Sequence, residues 1–326
     1  MIRFGVLGAA QITPAALVYP CMNEPLAKIS VIAARDKAKA EAFANAHHIR
    51  VVCDSYSDVV NHEKIDALYN PLHIAAHHPW TIAALGAGKH VLCEKSLACN
   101  ADEAREMNQV AKDNRLVLMD AFHYRYHPLF ARMKRIVDSG ELGIIESIDA
   151  AFHIPVTDPD NIRMKYHLGG GVTMDIGCYP ISWIRHLTGT EPTVVSASAE
   201  VGPPQVDLFL ETKMEAGNIA ITTSADMRAS ATFKAEVTVR GSKGKMQVDN
   251  VIAPQMGHLL ILNVNGKTSH QTVDRRPTYA YQLDAFIAAV RKNEPLWAGG
   301  DDAVAQMTVI DRCYEAAGLP IRGLEL

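Results

Sequence analysis

The sequence predicts an α/β protein with two domains: an N-terminal parallel sheet covered by helices, and a C-terminal α+β domain with a large, mainly antiparallel open sheet. Residues 1–120 alternate short β-branched runs with alanine-rich amphipathic segments, which is typical of βαβ units and a parallel sheet. After residue 140, strand-like runs follow one another with only turn residues between them, which favours antiparallel pairing. The length of 326 residues also exceeds that of one ordinary domain.

The N-terminal domain is expected to span residues 1–122 and the C-terminal domain residues 123–326. Predicted N-terminal strands are 2–7, 29–34, 51–53, 67–69, 90–93 and 116–119, with helices near 13–22, 37–47, 57–60, 79–87 and 102–113. Predicted C-terminal strands are 144–153, 193–200, 206–213, 218–224, 232–240, 245–248 and 259–264, followed by helices near 279–292 and 302–317.

Composition narrows the function classes. A formal charge of -4 and a pI near 6.4 provide no basic face for a polyanion, so we expect no nucleic-acid partner. No apolar run approaches the roughly 18 residues of a membrane span, and the chain opens directly into a strand-like run rather than a signal peptide. We therefore expect a cytoplasmic protein whose six cysteines are reduced and mostly buried, although a catalytic cysteine stays open as the less favoured alternative.

The segment 8–13 joins the first predicted strand to the first predicted helix. A dinucleotide pyrophosphate binds at such a turn, on free N–H groups at the positive end of a helix. Gly8 fills the first place of the G-x-G-x-x-G fingerprint, whereas Ala10 and Thr13 replace the other two glycines, so the motif alone is weak. In its context it predicts a Rossmann-like, dinucleotide-binding domain with cofactor contacts from Gly8, Ala10, Gln11 and Ile12.

Arg35 and Asp36 follow the second predicted strand. An acidic side chain at this strand tip accepts hydrogen bonds from a ribose 2′-hydroxyl, whereas an arginine suits a 2′-phosphate. Because Arg35 comes first, NADP is favoured as the cofactor and NAD stays possible. The alternative is that Arg35 is a solvated loop charge and that Asp36 caps the next helix.

Glu94 and Lys95 lie just past the end of a predicted parallel strand. In open α/β sheets ligands bind outside the carboxyl ends of the strands, so Lys95 is expected where a nicotinamide and a substrate meet. An ammonium there can polarise a reacting carbonyl or hydroxyl group and lower the pKa of a neighbouring acid. The alternative is a surface salt bridge between Glu94 and Lys95.

Three consecutive glycines, 169–171, precede Asp175 and Tyr179. Glycines permit a backbone path that is closed to other residues. Asp175 and Tyr179 are spaced i,i+4, which predicts that they share one helical face. A tyrosine facing a lysine can exchange the proton that accompanies hydride transfer at a C–OH carbon. The alternative is that Asp175 caps the helix while Tyr179 packs in its core.

Together these segments resemble the glucose–fructose oxidoreductase/inositol dehydrogenase/rhizopine-catabolism family, Gfo/Idh/MocA. The similarity runs almost from end to end and is carried by GVLGAA (5–10), AARD (33–36), GAGKHVLCEK (86–95) and NIR (161–163) ahead of GGGVTMDIGCY (169–179). The resemblance implies a Rossmann domain joined to a domain with a large open sheet. It also implies that Lys95 and Tyr179 serve catalysis, that Asp175 organises the site, and that Arg163 lies near the substrate.

Within the family, the chain is most similar to the branch of dimeric dihydrodiol dehydrogenase and NADP-dependent D-xylose dehydrogenase. That branch tends to carry tyrosine where inositol dehydrogenases carry histidine, as at Tyr179, and arginine at the second strand tip, as at Arg35. The family usually continues Glu-Lys-Pro, often with a cis bond, but Ser96 follows Lys95 here. Either the loop keeps a cis bond before Ser96, or Lys95 is presented differently. Ala10 in place of the second glycine is a variant of this branch.

Fourteen histidines raise the question of a metal site. His73 and His77 lie four residues apart, but the interval lacks the glutamate of an HExxH motif, and Pro71 and Pro79 argue against a continuous helix. We therefore expect no metal ion. His77 matches a family histidine in the loop after the fourth strand, and with Pro71 and Leu72 it is expected to contact the cofactor, or as an alternative the substrate.

The sequence thus predicts an NADP-preferring oxidoreductase that acts on a secondary alcohol or hemiacetal of a sugar or polyol. A trans-dihydrodiol dehydrogenase with the same site, and a non-catalytic dinucleotide-binding transcriptional sensor, are the alternatives. An open sheet usually needs covering, so we expect a homodimer or homotetramer. The predicted site comprises catalytic Lys95, Tyr179 and Asp175, cofactor-binding Gly8, Ala10, Gln11, Ile12, Arg35, Pro71, Leu72, His77, Glu94 and Lys95, and substrate-binding Arg125, Arg163, Asp175 and Tyr179. Arg125 follows the sixth strand, and its alternative is a domain-joining segment packed by aromatic residues.

Overall fold

The computed structural model describes residues 1–202 and 205–324, and its contacts divide the chain into two compact units. The first unit contains residues 1–98, 102–123 and 279–304, and the second contains residues 99–101, 124–278 and the residues from 305 onward. The domain bounds that the sequence suggests, 1–122 and 123–326, stay a prediction. In space, residues 279–304 group with the first unit.

The strands fall into two sheets. The first unit contains β1 (Ile2–Leu7), β2 (Ala27–Ala33), β3 (Val51–Val52), β4 (Ala67–Asn70), β5 (His90–Cys93) and β6 (Leu118–Asp120). The second contains β7 (Ile145–His153), β8 (Thr193–Gly202), β9 (Val206–Ala216), β10 (Ile219–Asp226), β11 (Lys234–Gly241), β12 (Gly244–Asp249), β13 (Leu259–Val264) and β14 (Lys267–Gln271).

The helices come in chain order between and after these strands. They are α1 (Tyr19–Met22), α2 (Lys37–His47), α3 (Tyr56–Val60), α4 (His77–Gly86), α5 (Ala101–Asp113), α6 (Pro128–Asp138), α7 (Cys178–Thr188), α8 (Thr278–Lys292) and α9 (Gly300–Ala316). Two π-helical turns, Pro14–Val18 and Thr173–Gly177, lead directly into α1 and α7. No helix within residues 1–202 and 205–324 is both long and apolar enough to cross a bilayer.

The strand order of each described sheet confirms the predicted fold class. The first sheet has the order β3-β2-β1-β4-β5-β6, and its pairings are parallel. The order reverses beside β1, which is the topological switch point at which doubly wound sheets bind dinucleotides. The second sheet has the order β14-β13-β12-β11-β7-β10-β9-β8, and it is antiparallel except for the β7–β10 pair.

Two elements were absent from the sequence prediction. The edge strand β14 is exposed along most of its length and lacks apolar alternation, and it pairs because the turn at Asn265 and Gly266, both with positive φ, folds it back onto β13. Helix α6 has the usual sequence pattern of an amphipathic helix, but the prediction did not include it. Pro128 stands at its first position after the His127 cap, and the buried Leu129, Phe130, Met133 and Ile136 recur at helical spacing.

No disulfide bond joins any of the six cysteines, all of which lie within the described ranges. Cys93, Cys99, Cys178 and Cys313 are buried, whereas Cys21 and Cys53 are half-buried. Thiols of this kind behave as small apolar side chains.

Helix α8 belongs to the first unit because of what it buries. Phe286 on α8 and Phe4 on β1 are both completely buried, and their ring centroids lie 5.4 Å apart. The residues beyond α8 continue the attachment, since the Asp120 N–H at the end of β6 donates to the Ala298 carbonyl at 2.9 Å.

Replacing Phe286 tests this attachment. Phe286→Ala is expected to lower the free energy of unfolding by about 3–5 kcal/mol, because it leaves a cavity against β1. Phe286→Leu, which keeps most of the volume, should cost clearly less. Urea unfolding followed by tryptophan fluorescence measures both variants. Equal losses for the two, or none for alanine, would show that α8 is not packed on β1 in solution.

Candidate active site

The turn after β1 offers unpaired backbone donors at the start of a helix. Gly8 has φ +84°, a conformation that favours glycine, and its N–H donates to the Ala33 carbonyl at 2.6 Å. Within the described chain, no hydrogen-bond acceptor takes the N–H groups of residues 9–12, which immediately precede the π-helical turn and α1. This cradle fits a dinucleotide pyrophosphate, and the contacts of Gly8, Ala10, Gln11 and Ile12 with the cofactor stay a prediction.

The tip of β2 separates the roles of Arg35 and Asp36. Asp36 caps α2, and its carboxylate accepts from the N–H groups of Ala38 at 3.0 Å and Lys39 at 3.3 Å. The capping role that the sequence left open is therefore the one observed for Asp36. The Arg35 side chain beside it is exposed, and its contact with a cofactor phosphate stays a prediction.

In the loop after β5, Glu94 is buried and does not form the exposed salt bridge that was the alternative for Glu94 and Lys95. Glu94 is only 8% exposed and accepts a hydrogen bond of 2.7 Å from the buried Tyr69 hydroxyl of β4. Burial, together with the Glu94 carboxylate, raises the pKa of Tyr69 well above its ordinary value. The Lys95–Ser96 peptide bond is cis, so this loop has the cis bond even though serine follows the lysine. Lys95 itself is half-buried.

His77 ties two loops of the first unit together. Its Nδ1 lies 2.9 Å from the Ser96 carbonyl oxygen, and its Nε2 lies 2.9 Å from the Leu72 carbonyl oxygen. Burial lowers the pKa of His77 to about 4, against the opposing effect of the two carbonyl groups. In this structure His77 therefore contacts the carbonyl group of Ser96, the residue that follows Lys95. The predicted contact of Pro71, Leu72 and His77 with the cofactor stays a prediction.

Asp120 is a residue of this region that the sequence interpretation missed. It ends β6 opposite Cys93 of β5 and is 1% exposed. Neither carboxyl oxygen has a hydrogen-bond partner within the described chain. Burial, helped by Asp302 and Glu94, raises the pKa of Asp120 well above its ordinary value, although Lys95 opposes the shift. Burial thus favours the protonated form of the Asp120 carboxyl group more than it is favoured in an exposed aspartate. The sequence interpretation passed over Asp120 because the residues after it, 121–127, are rich in aromatic side chains and drew attention to themselves as a connecting segment.

In the second unit, Arg163 and Asp175 form an ion pair. Arg163 Nε donates to Asp175 Oδ2 at 2.5 Å, and the carboxylate raises the pKa of Arg163. A cavity of about 310 Å³ lies beside the pair, with Asn161 and Met227 also in its wall. Its volume is at the lower end of the range for small-molecule sites, and its wall combines apolar and charged groups.

Tyr179 stands in a cluster of aromatic rings. Its ring centroid lies 5.5 Å from that of Phe152, 6.1 Å from Tyr124 and 6.3 Å from Trp183, and the side chain is 5% exposed. Asp175 lies in the π-helical turn Thr173–Gly177, and Tyr179 lies in the first turn of α7, which follows that turn without a break. The regular α-helical spacing that the i,i+4 pattern assumes is therefore absent at Asp175, and the shared helical face stays a prediction.

Arg125 lies in the 3-10 turn His123–Tyr126 and is 9% exposed. Its guanidinium contacts Nε2 of His186 on α7. This contact agrees with the alternative of a packed connecting segment, and a substrate contact from Arg125 stays a prediction. No group of three or more histidine, cysteine or acidic residues within the described ranges is placed to hold a metal ion.

The predicted site residues therefore fall into two sets. The first unit contains Gly8, Ala10, Gln11, Ile12, Arg35, Pro71, Leu72, His77, Glu94 and Lys95. The second contains Arg125, Arg163, Asp175 and Tyr179, of which Arg163 and Asp175 are in direct contact. The joint action of Lys95 and Tyr179 stays a prediction.

Comparison with known proteins decides the family. Residues 2–122 match the family model described as "Oxidoreductase family, NAD-binding Rossmann fold", and residues 130–247 match the GFO/IDH/MocA C-terminal domain. The chain belongs to the GFO/IDH/MocA family. This result confirms the predicted family, the oxidoreductase class and the nicotinamide cofactor.

Three relatives show the range of this similarity. D-xylose 1-dehydrogenase (NADP(+)) 2 of Haloferax volcanii is 32% identical over 97% of both chains. Trans-1,2-dihydrobenzene-1,2-diol dehydrogenase of Xenopus laevis is 30% identical over 68% of this chain and 67% of that protein. The crystal structure of a 3-ketoreductase from Actinomadura kijaniata in complex with NADP and TDP-benzene is 26% identical, covers 97% of both chains and superposes with a TM-score of 0.91. The predicted branch is confirmed by the first two.

The buried imidazole of His77 makes stability depend on pH. Its folded pKa of about 4 lies below the ordinary value of 6.5, so the unfolded chain binds a proton first as the pH falls. The free energy of unfolding should therefore be highest above pH 6.5 and fall towards pH 4, with about 3 kcal/mol of the loss due to His77. Urea unfolding from pH 7.5 to 4.5 measures the slope.

The variant His77→Gln isolates this contribution. His127, whose pKa burial also lowers to about 4, is common to both proteins and cancels from the difference. The variant should be less stable at pH 7.5 but lose less stability on acidification. An identical slope in both proteins would contradict a neutral, buried His77.

Proposed function

We propose that this protein is an NADP-dependent oxidoreductase that transfers hydride between the nicotinamide and a C–OH carbon of a sugar or sugar-like polyol. The observation that carries the proposal is the match over 97% of the chain to an NADP-dependent sugar dehydrogenase, together with Lys95 and Tyr179 at the two family motifs. The 3-ketoreductase complex with NADP has the same fold and supports the same cofactor.

The residues divide the work between binding and proton exchange. The free N–H groups of residues 9–12 would hold the pyrophosphate, and Arg35 would hold the 2′-phosphate. The bound dinucleotide supplies the hydride acceptor or donor. Tyr179 gives the proton to the substrate oxygen during reduction and takes it during oxidation, because a phenol is both donor and acceptor. Lys95 polarises that oxygen, and burial of Glu94 with Tyr69 fixes the chain just before it.

Arg163 and Asp175 provide the polar wall of the cavity in the second unit. A sugar presents several hydroxyl groups, each of which can donate and accept, and a guanidinium–carboxylate pair offers both partners at once. Since the pair is only partly exposed, its hydrogen bonds to a bound hydroxyl would be stronger than in water. Asp175 thereby orients the substrate rather than taking its proton.

Two features of the whole protein complete the proposal. We place it in the cytoplasm, and we propose a homodimer or homotetramer formed through the open sheet of the second unit. The alternative of trans-dihydrodiol oxidation shares the same chemistry, and the Xenopus relative of that name keeps it as a second candidate substrate class. The presence of both Lys95 and Tyr179 speaks against the non-catalytic sensor.

Turnover tests the catalytic assignment. With NADP and a panel of pentoses, hexoses and polyols, at least one substrate should change absorbance in the reduced-nicotinamide band. Tyr179→Phe and Lys95→Met should each lower kcat about 100-fold or more, because each removes a proton-exchange or charge-stabilising group. Matched controls are Tyr19→Phe and Lys213→Met, which change exposed side chains. Wild-type turnover in the two site variants would exclude the assignment, and dinucleotide binding without any turnover would favour the sensor.

Cofactor preference tests Arg35. Arg35→Gln should raise the KM for NADP about 10- to 100-fold and leave that for NAD nearly unchanged, since only NADP has the phosphate that a guanidinium binds. Arg312→Gln, which removes an exposed ion pair of the second unit, is the control. If the ratio of the two KM values stays constant in Arg35→Gln, the phosphate contact lies elsewhere.

A further inference from the structure

A fully buried ion pair lies in the second unit outside the predicted site. Arg322, beyond α9, and Asp207, on β9, are 1% and 0% exposed, and their side chains are in direct contact. Two apolar side chains would stabilise such a core at least as well, because both charges lose their hydration here. A charged pair instead fixes the orientation of the groups around it, because hydrogen bonds to a guanidinium or a carboxylate have preferred angles.

The Arg322 guanidinium contacts two aromatic rings and a backbone carbonyl group in addition to Asp207. Its plane lies between the rings of Tyr166 and Tyr314, with the central carbon 4.5 and 4.4 Å from the two ring centroids. Its Nε donates to the Gly170 carbonyl at 3.1 Å, in the middle of the three-glycine segment. The stacked rings and the carbonyl fix the guanidinium in one orientation.

Asp207 contacts Thr173, which lies just after the glycine segment. Its Oδ2 accepts from both the backbone N–H and the hydroxyl of Thr173, at 2.8 and 2.5 Å, where the π-helical turn that carries Asp175 begins. A Cβ on Gly171, whose φ is +135°, would collide with Asp207 Oδ1. Only glycine therefore lets the chain pass this carboxylate.

The same glycines contact the segment that carries Arg163. The Gly171 N–H donates to the Arg163 carbonyl at 3.0 Å, and the Gly170 N–H donates to the Lys165 carbonyl at 3.1 Å. A Cβ on Gly170 would lie 2.5 Å from the Arg163 carbonyl oxygen, so no larger residue fits. The glycine segment thus contacts the backbone of Arg163 and leads into the turn of Asp175, and it also contacts the Asp207–Arg322 pair.

We propose that Asp207 and Arg322 are positioning residues for the reaction. They fix the glycine segment 169–171, and through it the relative placement of Arg163, Asp175 and the start of α7 with Tyr179. This inference rests on the proposed function for its effect on turnover, but its effect on the backbone is independent of any activity.

The test compares charge-removing variants with a variant that is destabilised elsewhere. Arg322→Gln and the double variant Asp207→Asn, Arg322→Gln remove the pair, while Arg322→Lys keeps the charge without the planar fork. Met246→Ala is the control, because Met246 is completely buried on β12, separated from β9 by three strands. Each protein is assayed well below its melting temperature, so that the folded fraction is the same.

Loss of the pair should lower kcat for the sugar about 100-fold, as misplacement of reacting groups by about 1 Å does. The KM for NADP should stay unchanged, since the cradle of residues 9–12 is untouched. Amide hydrogen exchange, measured by mass spectrometry, should become faster in residues 169–179. Arg322→Lys should recover part of kcat. Met246→Ala should lower the melting temperature while leaving kcat and the exchange of residues 169–179 as in the wild type.

Several outcomes would overturn the proposal. One is a folded Arg322→Gln protein with wild-type kcat and wild-type exchange in residues 169–179, and another is an equal loss of kcat in Met246→Ala. If the neutral variants do not fold, Arg322→Lys decides, because full activity and unchanged exchange in that variant also contradict a role for the fork. If the wild type turns over no sugar, the proposed function fails, and the exchange measurement still decides whether the pair holds the segment.

Discussion

A buried carboxylate loses its hydration, so it needs a positive partner and hydrogen-bond donors within the protein. In the second unit this constraint applies to the fully buried Asp207. One of its oxygens faces Arg322 and the Tyr314 hydroxyl, and the other takes two donors from Thr173. The glycine segment, the π-helical turn and the strand β9 meet around these contacts. Hydrogen bonds connect the backbone of Arg163 and the turn that contains Asp175 to this meeting point.

In both units a glycine with positive φ comes just before a π-helical turn. In the first, a glycine with positive φ ends β1 and leaves the following N–H groups without acceptors, ready for an anion from solution. In the second, a glycine with positive φ also precedes a π-helical turn, but the anion is the protein's own Asp207. A helix start that would attract a phosphate is thus already neutralised.

Periodic sequence patterns predicted the secondary structure and the two sheets. The alternation of strands and helices gave the first sheet, and the successive strands gave the second, because period and turn chemistry are local properties. The Glu94-Lys95 and Asp175–Tyr179 motifs were located by their positions after a strand and after a run of glycines, and by their resemblance to the family. Strand β14 escaped because its pairing depends on its neighbour and a two-residue turn rather than on its own apolar pattern.

Contacts between distant residues were not accessible to that reasoning. Nothing in the surroundings of Arg322 or Asp207 shows that they meet, since 115 positions separate them. The contact of His77 with the Ser96 carbonyl and the burial of the Asp120 carboxyl group likewise depend on which strands are neighbours. The π-helical turn before α7 was missed for a related reason: i,i+4 spacing describes a regular α-helix and not the wider turn that contains Asp175.

The return of residues 279–304 to the first unit has a consequence for biosynthesis. A ribosome delivers β1 to β6 early, but the Phe286 side chain that covers β1 emerges only after the strands of the second sheet. The nascent N-terminal sheet therefore exposes an apolar surface while most of the protein is still being made, a stage at which domains otherwise complete themselves in order. Chaperone dependence and slow maturation are properties that this chain order would impose, whatever the stability of the finished fold.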